Sequence, residues 1–403
     1  MSCVRTGYLF GVVMNKGHIA FISYPFPAFV NPTLPIVSIL LRRGYRVTYA
    51  TTESFANRVA ALGAEVVLCP SIPTERTTNS AKEDDGALRR TLEDLVAAIP
   101  TMEKLYKLDR PSVIVYGNMA PSGHILTRKL NIPGIQICST FALNRENLHR
   151  QIRDATLRRN IVQTSAKVDR FIQQQGVSPN DYFFARDTLN IYLFPVALQP
   201  MRDVVGNTCF YAGRCPAEQS YFGDWQPTKL DGRPTILVST SSMYVRGPEY
   251  FKMFIEALRN LHCHVILSIG FEGSSGEYEN LPSNFEVVSN VSHIKILPYV
   301  SLFACLGGII TTAESMYHGV PMLVTSHGFK ELEWQGDNIE DTGVGVHLKK
   351  SDTSVGSIRE FAAEMLADKA LYDRMGQAKF AARREAGAEE VANRIEEVLN
   401  LEG

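Results

Sequence analysis

Two hydrophobic patterns alternate along the chain. Short runs of β-branched and aromatic residues are separated by longer stretches in which apolar positions recur at helical spacing. This alternation predicts βαβ units, and therefore a parallel sheet that helices cover on both faces. In the first half the strand-like runs are HIAFISY (18–24), YRVTYAT (45–51), AEVVLC (64–69), SVIVYG (112–117), GIQICST (134–140) and LNIYLFP (189–195).

The same alternation restarts after residue 230, and the second set of runs is TILVST (235–240), HVILSIG (264–270), FEVVSN (285–290), LFACLGG (302–308) and PMLVTS (321–326). Between the halves, residues 213–234 are rich in Gly, Pro and polar side chains and show neither period, which predicts a linker. We therefore predict an α/β protein with two doubly wound Rossmann-like domains, at 17–212 and 235–388, facing each other across a cleft. Open α/β sheets bind ligands beyond the carboxyl ends of their strands, so this cleft is the expected binding site.

The first predicted strand runs into a turn and a helix start, YPFPAFVNPTLPIV (24–37). Asn31 is suited to cap this helix, Pro32 to occupy its first position and Gly44 to end it. A helix placed there directs the turn from Tyr24 to Asn31 into the cleft.

Bulk composition narrows the class of partner. The chain has 403 residues, of which 45% are hydrophobic and 21% charged, and a formal net charge of -1. These values are typical of a globular protein and give no electrostatic case for nucleic acid or an anionic membrane. Seven scattered cysteines without a C-x-x-C pair predict reduced thiols and a cytoplasmic location. No ligand-like cluster of Asp, Glu and His is visible, so we predict no metal site.

The N-terminal apolar run is too short to span a membrane and lacks the features of a signal peptide. Because the first clear strand begins at His18, we hypothesise that Met14 is the natural start and that residues 1–16 form an extension outside the core. The sequence leaves the choice between Met1 and Met14 open.

A glycine-rich stretch in the second half, CLGGIITTAESMYHGVP (305–321), follows a strand and opens a helix. Gly307 and Gly308 would let backbone N–H groups approach a ligand, and Thr311 or Thr312 could cap the helix. The positive end of the helix dipole favours an anion such as a diphosphate. Taken alone, the pattern fits an ordinary strand-to-helix turn equally well.

Four longer stretches carry a family resemblance: FVNPTLPIVSILLRRGYRVTYATTESFANRVAALGAE, RPTILVSTSSMYVRGPEYFKMFIEAL, LGGIITTAESMYHGVPML and NIEDTGVGVHL. From about His18 to about Glu396 the chain resembles the macrolide-type family 1 glycosyltransferases, which depend on UDP- or TDP-sugars. The resemblance implies a fold of the GT-B type and transfer of a sugar from a nucleotide diphosphate to a small lipophilic acceptor. It implies no cofactor beyond the nucleotide-sugar donor, and a last helix at 389–403 that packs back on the first domain.

The resemblance also implies a degenerate active site. The histidine that acts as general base in the family aligns with Pro27, and a second histidine of the same turn aligns with Phe29. The aspartate that orients the base aligns with Gly117. In the glycine loop, the histidine that contacts the diphosphate aligns with Leu306 and a following asparagine with Ile310.

The donor side has changed as well, although several positions are kept. A glutamine that contacts the base or ribose aligns with His293, and the acidic-Gln pair that grips the donor sugar aligns with Glu331 and Leu332. The positions that the resemblance assigns to donor and phosphate binding are Ser239, Ser241, Ser242, His293, Gly307, Gly308, Thr311, Thr312, Glu314 and Glu331.

No residue clearly replaces the base. Tyr24, Asn118 and His149 are the candidates, and each is weak, because tyrosine and asparagine are poor bases at neutral pH and a surface position suits this histidine better. The expected acceptor pocket is apolar and aromatic, which favours an uncharged or aromatic small molecule. Its residues are Tyr24, Phe26, Pro27, Phe29, Tyr116, Asn118, Thr140 and Phe141. That these side chains merely fill an unused site is an equal alternative.

Two functions follow from these observations. The first is a diverged glycosyltransferase of natural-product metabolism whose acceptor needs little help from a base. The second is a catalytically inactive or repurposed protein of the same fold, either an accessory or sensor protein or a different enzyme. A homodimer or a partner enzyme is compatible with both.

Overall fold

The computed structural model describes residues 16–69, 96–180, 182–184, 189–205, 209–215, 231–240, 247–270, 278, 280–288 and 292–401. Met14 with the rest of residues 1–15, most of the predicted linker, and the candidate residues Ser241 and Ser242 lie outside them.

The first half forms a seven-stranded sheet in which all neighbouring strands are parallel, in the order β3-β2-β1-β4-β5-β6-β7. The order reverses between β1 and β4, and open sheets bind ligands at such a switch point. The strands are β1 His18–Ile22, β2 Arg46–Thr51, β3 Glu65–Leu68, β4 Val113–Gly117, β5 Gly134–Cys138, β6 Leu189–Tyr192 and β7 Cys209–Tyr211. The helices are α1 Pro27–Val30, α2 Leu34–Arg42, α3 Glu53–Ala60, α4 Ile99–Leu108, α5 Pro121–Leu130, α6 Leu148–Gln151 and α7 Ala155–Gln174.

The start of the first helix differs from the prediction. The chain is already helical at Pro27, and Asn31 has α-helical dihedral angles instead of capping a helix. Its side-chain oxygen accepts a hydrogen bond from Arg58 Nη1 at 2.6 Å. The fixed φ of Pro27 favours an earlier start, since Pro suits the first helical position. Gly44 follows the end of α2 with a φ of +91°, as a helix stop requires.

The second half forms a six-stranded sheet, also with parallel neighbours, in the order β10-β9-β8-β11-β12-β13. Its strands are β8 Thr235–Ser239, β9 His264–Ser268, β10 Phe285–Val288, β11 Leu302–Cys305, β12 Met322–Thr325 and β13 Gly345–Leu348. Its helices are α8 Pro248–Leu258, α9 His293–Ile296, α10 Ile309–His318, α11 Lys330–Asp341, α12 Val355–Ala367, α13 Lys369–Arg383 and α14 Gly387–Leu401.

The last helix, α14, contacts α2 of the first half. On its apolar face, Val391 and Ile395 are fully buried in the same hydrophobic cluster as the residues of β1 and α2. Arg43 donates hydrogen bonds to Glu389 and Glu396 of this helix, each at 2.6 Å. The end of the chain is therefore part of the first core.

The two halves also meet along α11. Trp334 packs edge-on against Phe141 with ring centroids 4.7 Å apart, and its indole N–H donates to the carbonyl of Gln151. Asn338 donates to the carbonyl of Leu198 at 2.7 Å. These contacts hold the second domain against the loops that follow β5 and β6.

Within the described ranges, no helix is both long and apolar enough to cross a membrane. The same ranges contain no cluster of three or more His, Cys, Asp or Glu side chains that could hold a metal ion. Their six cysteines are free thiols, four of them buried, and Cys69 and Cys209 are half-buried.

Candidate functional site

The turn after β1 is closed by aromatic packing. The rings of Tyr24 and Phe26 stack with their centroids 4.9 Å apart, and Phe29 meets Tyr24 edge-on at 5.5 Å. Tyr24 and Phe29 are buried, whereas Phe26 and Pro27 are half-buried at the surface of the turn. The position where a general base is expected is therefore occupied by a small aromatic cluster without a histidine or a carboxylate.

Gly117, at the end of β4, lies directly beside this turn. A Cβ added to Gly117 would approach the Tyr24 backbone nitrogen at 3.8 Å, which is an ordinary contact distance. A small cavity beside it is lined in part by Ser23, Phe29 and Ser139. A Cβ therefore fits at Gly117 without a close contact.

Asn118 connects the ends of two strands. Its amide nitrogen donates to Thr140 Oγ1 at 2.7 Å, and its side-chain oxygen accepts from the Ser139 backbone N–H at 3.3 Å. The Tyr182 hydroxyl donates to the Asn118 carbonyl at 2.8 Å. The structure thus brings Asn118 and Thr140 together at this edge, where they brace β4 against β5.

Two predicted pocket walls lie deeper than the turn. Tyr116 is fully buried; its ring stacks on Tyr182, and its hydroxyl is 3.4 Å from His124 Nδ1. Phe141 is buried between Phe194 and the Trp334 ring of the second half. Phe141 therefore lies at the boundary of the two domains.

The histidines of the first half are not close to the turn in a way that would supply a base. His149 is exposed on the short helix α6. His18 begins β1, at the opposite end of the strand from the turn, and its Nε2 is 2.9 Å from Thr48 Oγ1. Burial and the nearby charge of Arg46 lower the pKa of His18.

In the glycine loop of the second half, Gly307 is closely surrounded, whereas Gly308 has open space beside it. Gly307 has a φ of +80°, and a Cβ there would lie 2.8 Å from the Val324 side chain, so only glycine fits. An added Cβ at Gly308 would meet no atom within 4 Å, and Gly308 immediately precedes the first residue of α10. The space beside Gly308 is thus open at the end of the helix where the dipole favours an anion.

The threonines of this loop do not cap the helix, contrary to the prediction. The helix begins at Ile309 with Gly308 as the N-cap, so Thr311 and Thr312 lie in its first turn. The buried Thr312 hydroxyl donates to the Gly308 carbonyl at 3.0 Å, and Thr311 is half-buried. Leu306, 2% exposed, packs in the apolar core of the second half.

A cluster of charged and polar side chains surrounds Glu314 on α10. His293 Nδ1 lies 2.9 Å from Glu314 Oε2, and His293 Nε2 lies 3.4 Å from Ser239 Oγ. Arg214, which follows the last strand of the first half, donates from Nη2 to Glu314 Oε1 at 3.0 Å. Three residues predicted at the donor site are therefore connected, because His293 lies between Ser239 and Glu314.

The electrostatics of this cluster keep Glu314 ionised. Burial opposes ionisation, but the hydrogen bond with His293 and the charge of Arg214 outweigh it and lower the pKa of Glu314 to about 2. Burial and the charge of Arg214 also lower the pKa of His318, one turn along α10, to about 4. A carboxylate in this state accepts hydrogen bonds but does not donate them.

Glu331, in the first turn of α11, is exposed, and its Oε1 accepts a hydrogen bond from Gln335 Nε2 at 3.3 Å. Leu332, which aligns with the family's sugar-binding glutamine, is buried in the core of the second half. An amide therefore still lies beside the carboxylate, but it comes from the next turn of the helix.

Sequence reasoning missed two of these residues. Arg214 lies in the segment predicted as a linker, where nothing in the local pattern distinguishes it from a solvated arginine. Gln335 could have been found from its spacing, because side chains four residues apart share one face of a helix.

Two parallel Rossmann-like sheets, with candidate sites at the carboxyl ends of their strands, define the GT-B class of glycosyltransferase. A family model described as the C-terminal domain of erythromycin biosynthesis protein CIII-like proteins matches residues 252–398. NDP-glycosyltransferase YjiC of Bacillus subtilis is 30% identical over 388 residues, which cover 95% of this chain and 97% of that protein. The chain belongs to the family 1 glycosyltransferases.

Other relatives extend this result. Demethyllactenocin mycarosyltransferase of Streptomyces fradiae is 26% identical, over 96% of this chain and 87% of that protein. The crystal structure of the glycotransferase of kitacinnamycin superposes with a TM-score of 0.82 at 26% identity, over 95% of this chain and 99% of that one. The predicted fold class and family are thereby confirmed.

Proposed function

We propose that this chain transfers a sugar from a nucleotide diphosphate sugar to a small lipophilic or aromatic acceptor of the natural-product type. The observation that carries the proposal is the hydrogen-bonded cluster around Glu314 in the second half. The aromatic turn without a base lies in the first half. Homologues named as an NDP-glycosyltransferase and a mycarosyltransferase support it.

The donor half offers separate contacts for each part of a nucleotide sugar. The diphosphate would bind the open backbone at Gly308 and the start of α10, where the helix dipole favours negative charge. Glu314 would accept hydrogen bonds from ribose hydroxyls. Glu331, with Gln335 beside it, would contact the sugar.

The acceptor half offers binding without proton transfer. Tyr24, Asn118 and Thr140 are poor bases at neutral pH. A positioned general base contributes on the order of 100-fold to 10,000-fold in rate, so an acceptor that must lose its proton to an enzyme base is a poor substrate here. Acceptors that are already ionised or nucleophilic, such as acidic phenols, carboxylates or amines, suit this edge.

The test has two stages. A thermal-shift screen against uridine and thymidine diphosphate sugars identifies the donor, since a ligand at 100 times its Kd stabilises by about 2.7 kcal/mol. A series of substituted phenols is then assayed for release of nucleotide diphosphate at several pH values. We expect the rate to rise as the phenol pKa falls, with a pH midpoint that follows the phenol. A midpoint that stays fixed across the series would reveal an enzyme base and contradict the proposal.

A second candidate, a non-transferase on the same fold, is favoured by one observation. The three positions of base, orienter and diphosphate histidine are occupied by Pro27, Gly117 and Leu306, none of which has a functional side chain. Such a protein would bind nucleotide sugars, or a small molecule in the first half, without releasing nucleotide diphosphate with any acceptor. Detectable turnover with a single phenol would exclude it.

A further inference from the structure

Arg214 joins the two halves of the protein at the candidate donor site. It follows β7, the last strand of the first sheet, and its Nη2 donates to Glu314 Oε1 on α10 of the second half. Arg214 is 8% exposed, so the ion pair is shielded from solvent. This contact lies outside every motif that the family resemblance assigns.

The surroundings of Arg214 do not favour a purely stabilising role for its ion pair. Its Nε and Nη1 have no hydrogen-bond partner among the described residues, and its guanidinium lies over the Tyr317 ring at 5.8 Å. Removing a charge from water is costly, and a buried ion pair with unsatisfied donors often contributes little net stability. A role in binding accounts for the arrangement better than a role in folding.

The geometry around Glu314 indicates what that role is. A carboxylate has about four lone-pair sites, and Arg214 and His293 use one on each oxygen. Both oxygens therefore keep acceptor capacity, and the side chain is held between two donors. Two adjacent acceptors in a fixed orientation match the two neighbouring hydroxyls of a ribose.

We propose that Arg214 is a positioning residue for the donor: it holds Glu314 in the orientation that accepts ribose hydroxyls, and it fixes the end of the first domain to that site. The inference rests on the proposed function, because it assumes that a nucleoside diphosphate binds at Glu314. Preorganised groups bind more tightly because no ordering cost remains to be met on binding.

The inference predicts that Arg214 controls discrimination at the ribose. Wild-type protein should bind a nucleoside diphosphate about tenfold or more tightly than the counterpart without ribose hydroxyls, since hydrogen bonds to a charged group are strong. Arg214→Met should reduce this ratio to about threefold or less. Arg214→Lys, which keeps the charge, should restore part of it.

Isothermal calorimetry with two matched probe pairs measures the ratio. The pairs are uridine diphosphate with its 2′,3′-dideoxy form, and thymidine diphosphate with its 3′-deoxy form. Arg383→Met is the control, because Arg383 also packs on Tyr317 and donates to its carbonyl, but Arg383 has no hydrogen bond or ion pair with Glu314 among the described contacts. This control should keep the wild-type ratio.

Three results would overturn the inference. One is a wild-type ratio near unity, which requires no variant to fold. Another is an unchanged ratio in a folded Arg214→Met protein, and the third is an equal loss of the ratio in Arg383→Met. If neither parent nucleotide binds the wild-type protein, the proposed function fails as well.

Discussion

The carboxyl edges of the two sheets differ in their chemistry. Beside β1, the turn is filled by the stacked rings of Tyr24, Phe26 and Phe29, with Gly117 adding no side chain. Beside β8 and β11, Ser239, His293 and Glu314 form a connected polar cluster. One edge is apolar, and the other is charged.

The difference shows which positions of the fold can change at a low cost in stability. Pro27 is half-buried, and a Cβ at Gly117 would meet only ordinary contact distances, so neither position is closed to a different side chain. Glu314 is different, because Arg214 and His293 both bond to it inside the protein. Side chains at the first edge can therefore change at a smaller structural cost than Glu314, which is part of the packing at the second edge.

The largest predicted effect is that of Glu314→Ala. The change leaves the Arg214 guanidinium buried without its partner, and breaking a buried pair in this way costs about 3 kcal/mol. Urea unfolding measures this loss, and calorimetry with a nucleoside diphosphate should show no binding. Adding Arg214→Met should return part of the stability, because the unpaired charge is then removed.

A matched control is Glu333→Ala on α11. Glu333 pairs with Lys330 near the surface, and such pairs contribute about 1 kcal/mol or less. If Glu314→Ala and Glu333→Ala lowered the free energy of unfolding equally, the contrast between the two edges would be wrong.

The second prediction concerns the introduction of a general base and its orienter at the first edge. Pro27→His with Gly117→Asp places a base and its orienter in the family's positions, and the space beside Gly117 admits the new Cβ. We expect transfer to a weakly acidic phenol to become about 100-fold faster, with a smaller gain for an acidic phenol. Release of nucleotide diphosphate measures both rates.

Each single variant controls this test, since a histidine without an orienter, or an aspartate without a histidine, should gain little. A double variant no faster than the parent would show that more than the base has been lost. An inactive parent with an active double variant would instead favour the non-transferase function.

Much of the fold could be predicted from the sequence, because each buried strand of a parallel sheet gives a local run of apolar residues. Every strand-like run that falls in the described ranges forms a strand of one of the two sheets. Helix starts were harder to predict. Asn31 and the Thr311–Thr312 pair are good capping residues, yet Pro27 and Gly308 begin their helices earlier, since backbone preferences at those residues decide the start.

The candidate site was only partly predictable. Family alignment predicted Ser239, His293 and Glu314 as donor-site residues, because motif positions are local in sequence, and the structure links them through His293. Arg214 reaches Glu314 from a residue 100 positions earlier in the chain, and only the packing of the two domains brings them together. Alignment also does not show that Leu306 is a core residue. Because Leu306 is buried, a histidine at this position would replace an apolar side chain of the core.

The third prediction concerns the buried position of Leu306. Leu306→His puts a polar ring into an apolar cluster, and we expect a loss of about 2 kcal/mol in urea unfolding, without tighter binding of a nucleotide sugar. Ile310→Asn, at a partly buried position in the first turn of α10, should cost less. A stable Leu306→His protein with higher donor affinity would show that the donor edge is as easily restored as the acceptor edge.

The smallest predicted effect concerns the segment that holds Arg214. Glu385 Oε1 accepts a hydrogen bond from the Val196 N–H, and its carboxyl lies against Gly213, next to Arg214. Burial raises the pKa of Glu385 to about 7. The folded protein therefore binds this proton more tightly than the unfolded chain does. Its contribution is complete below the unfolded pKa and is lost as pH rises through about 7.

Glu385→Gln should remove this dependence, because the amide stays neutral. We expect its melting temperature to lie a few degrees above that of the wild type at about pH 8, and to match it at about pH 4. Glu364→Gln, which changes an exposed carboxyl on α12, is the control and should follow the wild-type curve. If Glu385→Gln kept the wild-type dependence of melting temperature on pH, the carboxyl would be ionised in the folded protein, and the segment that holds Arg214 would be insensitive to pH.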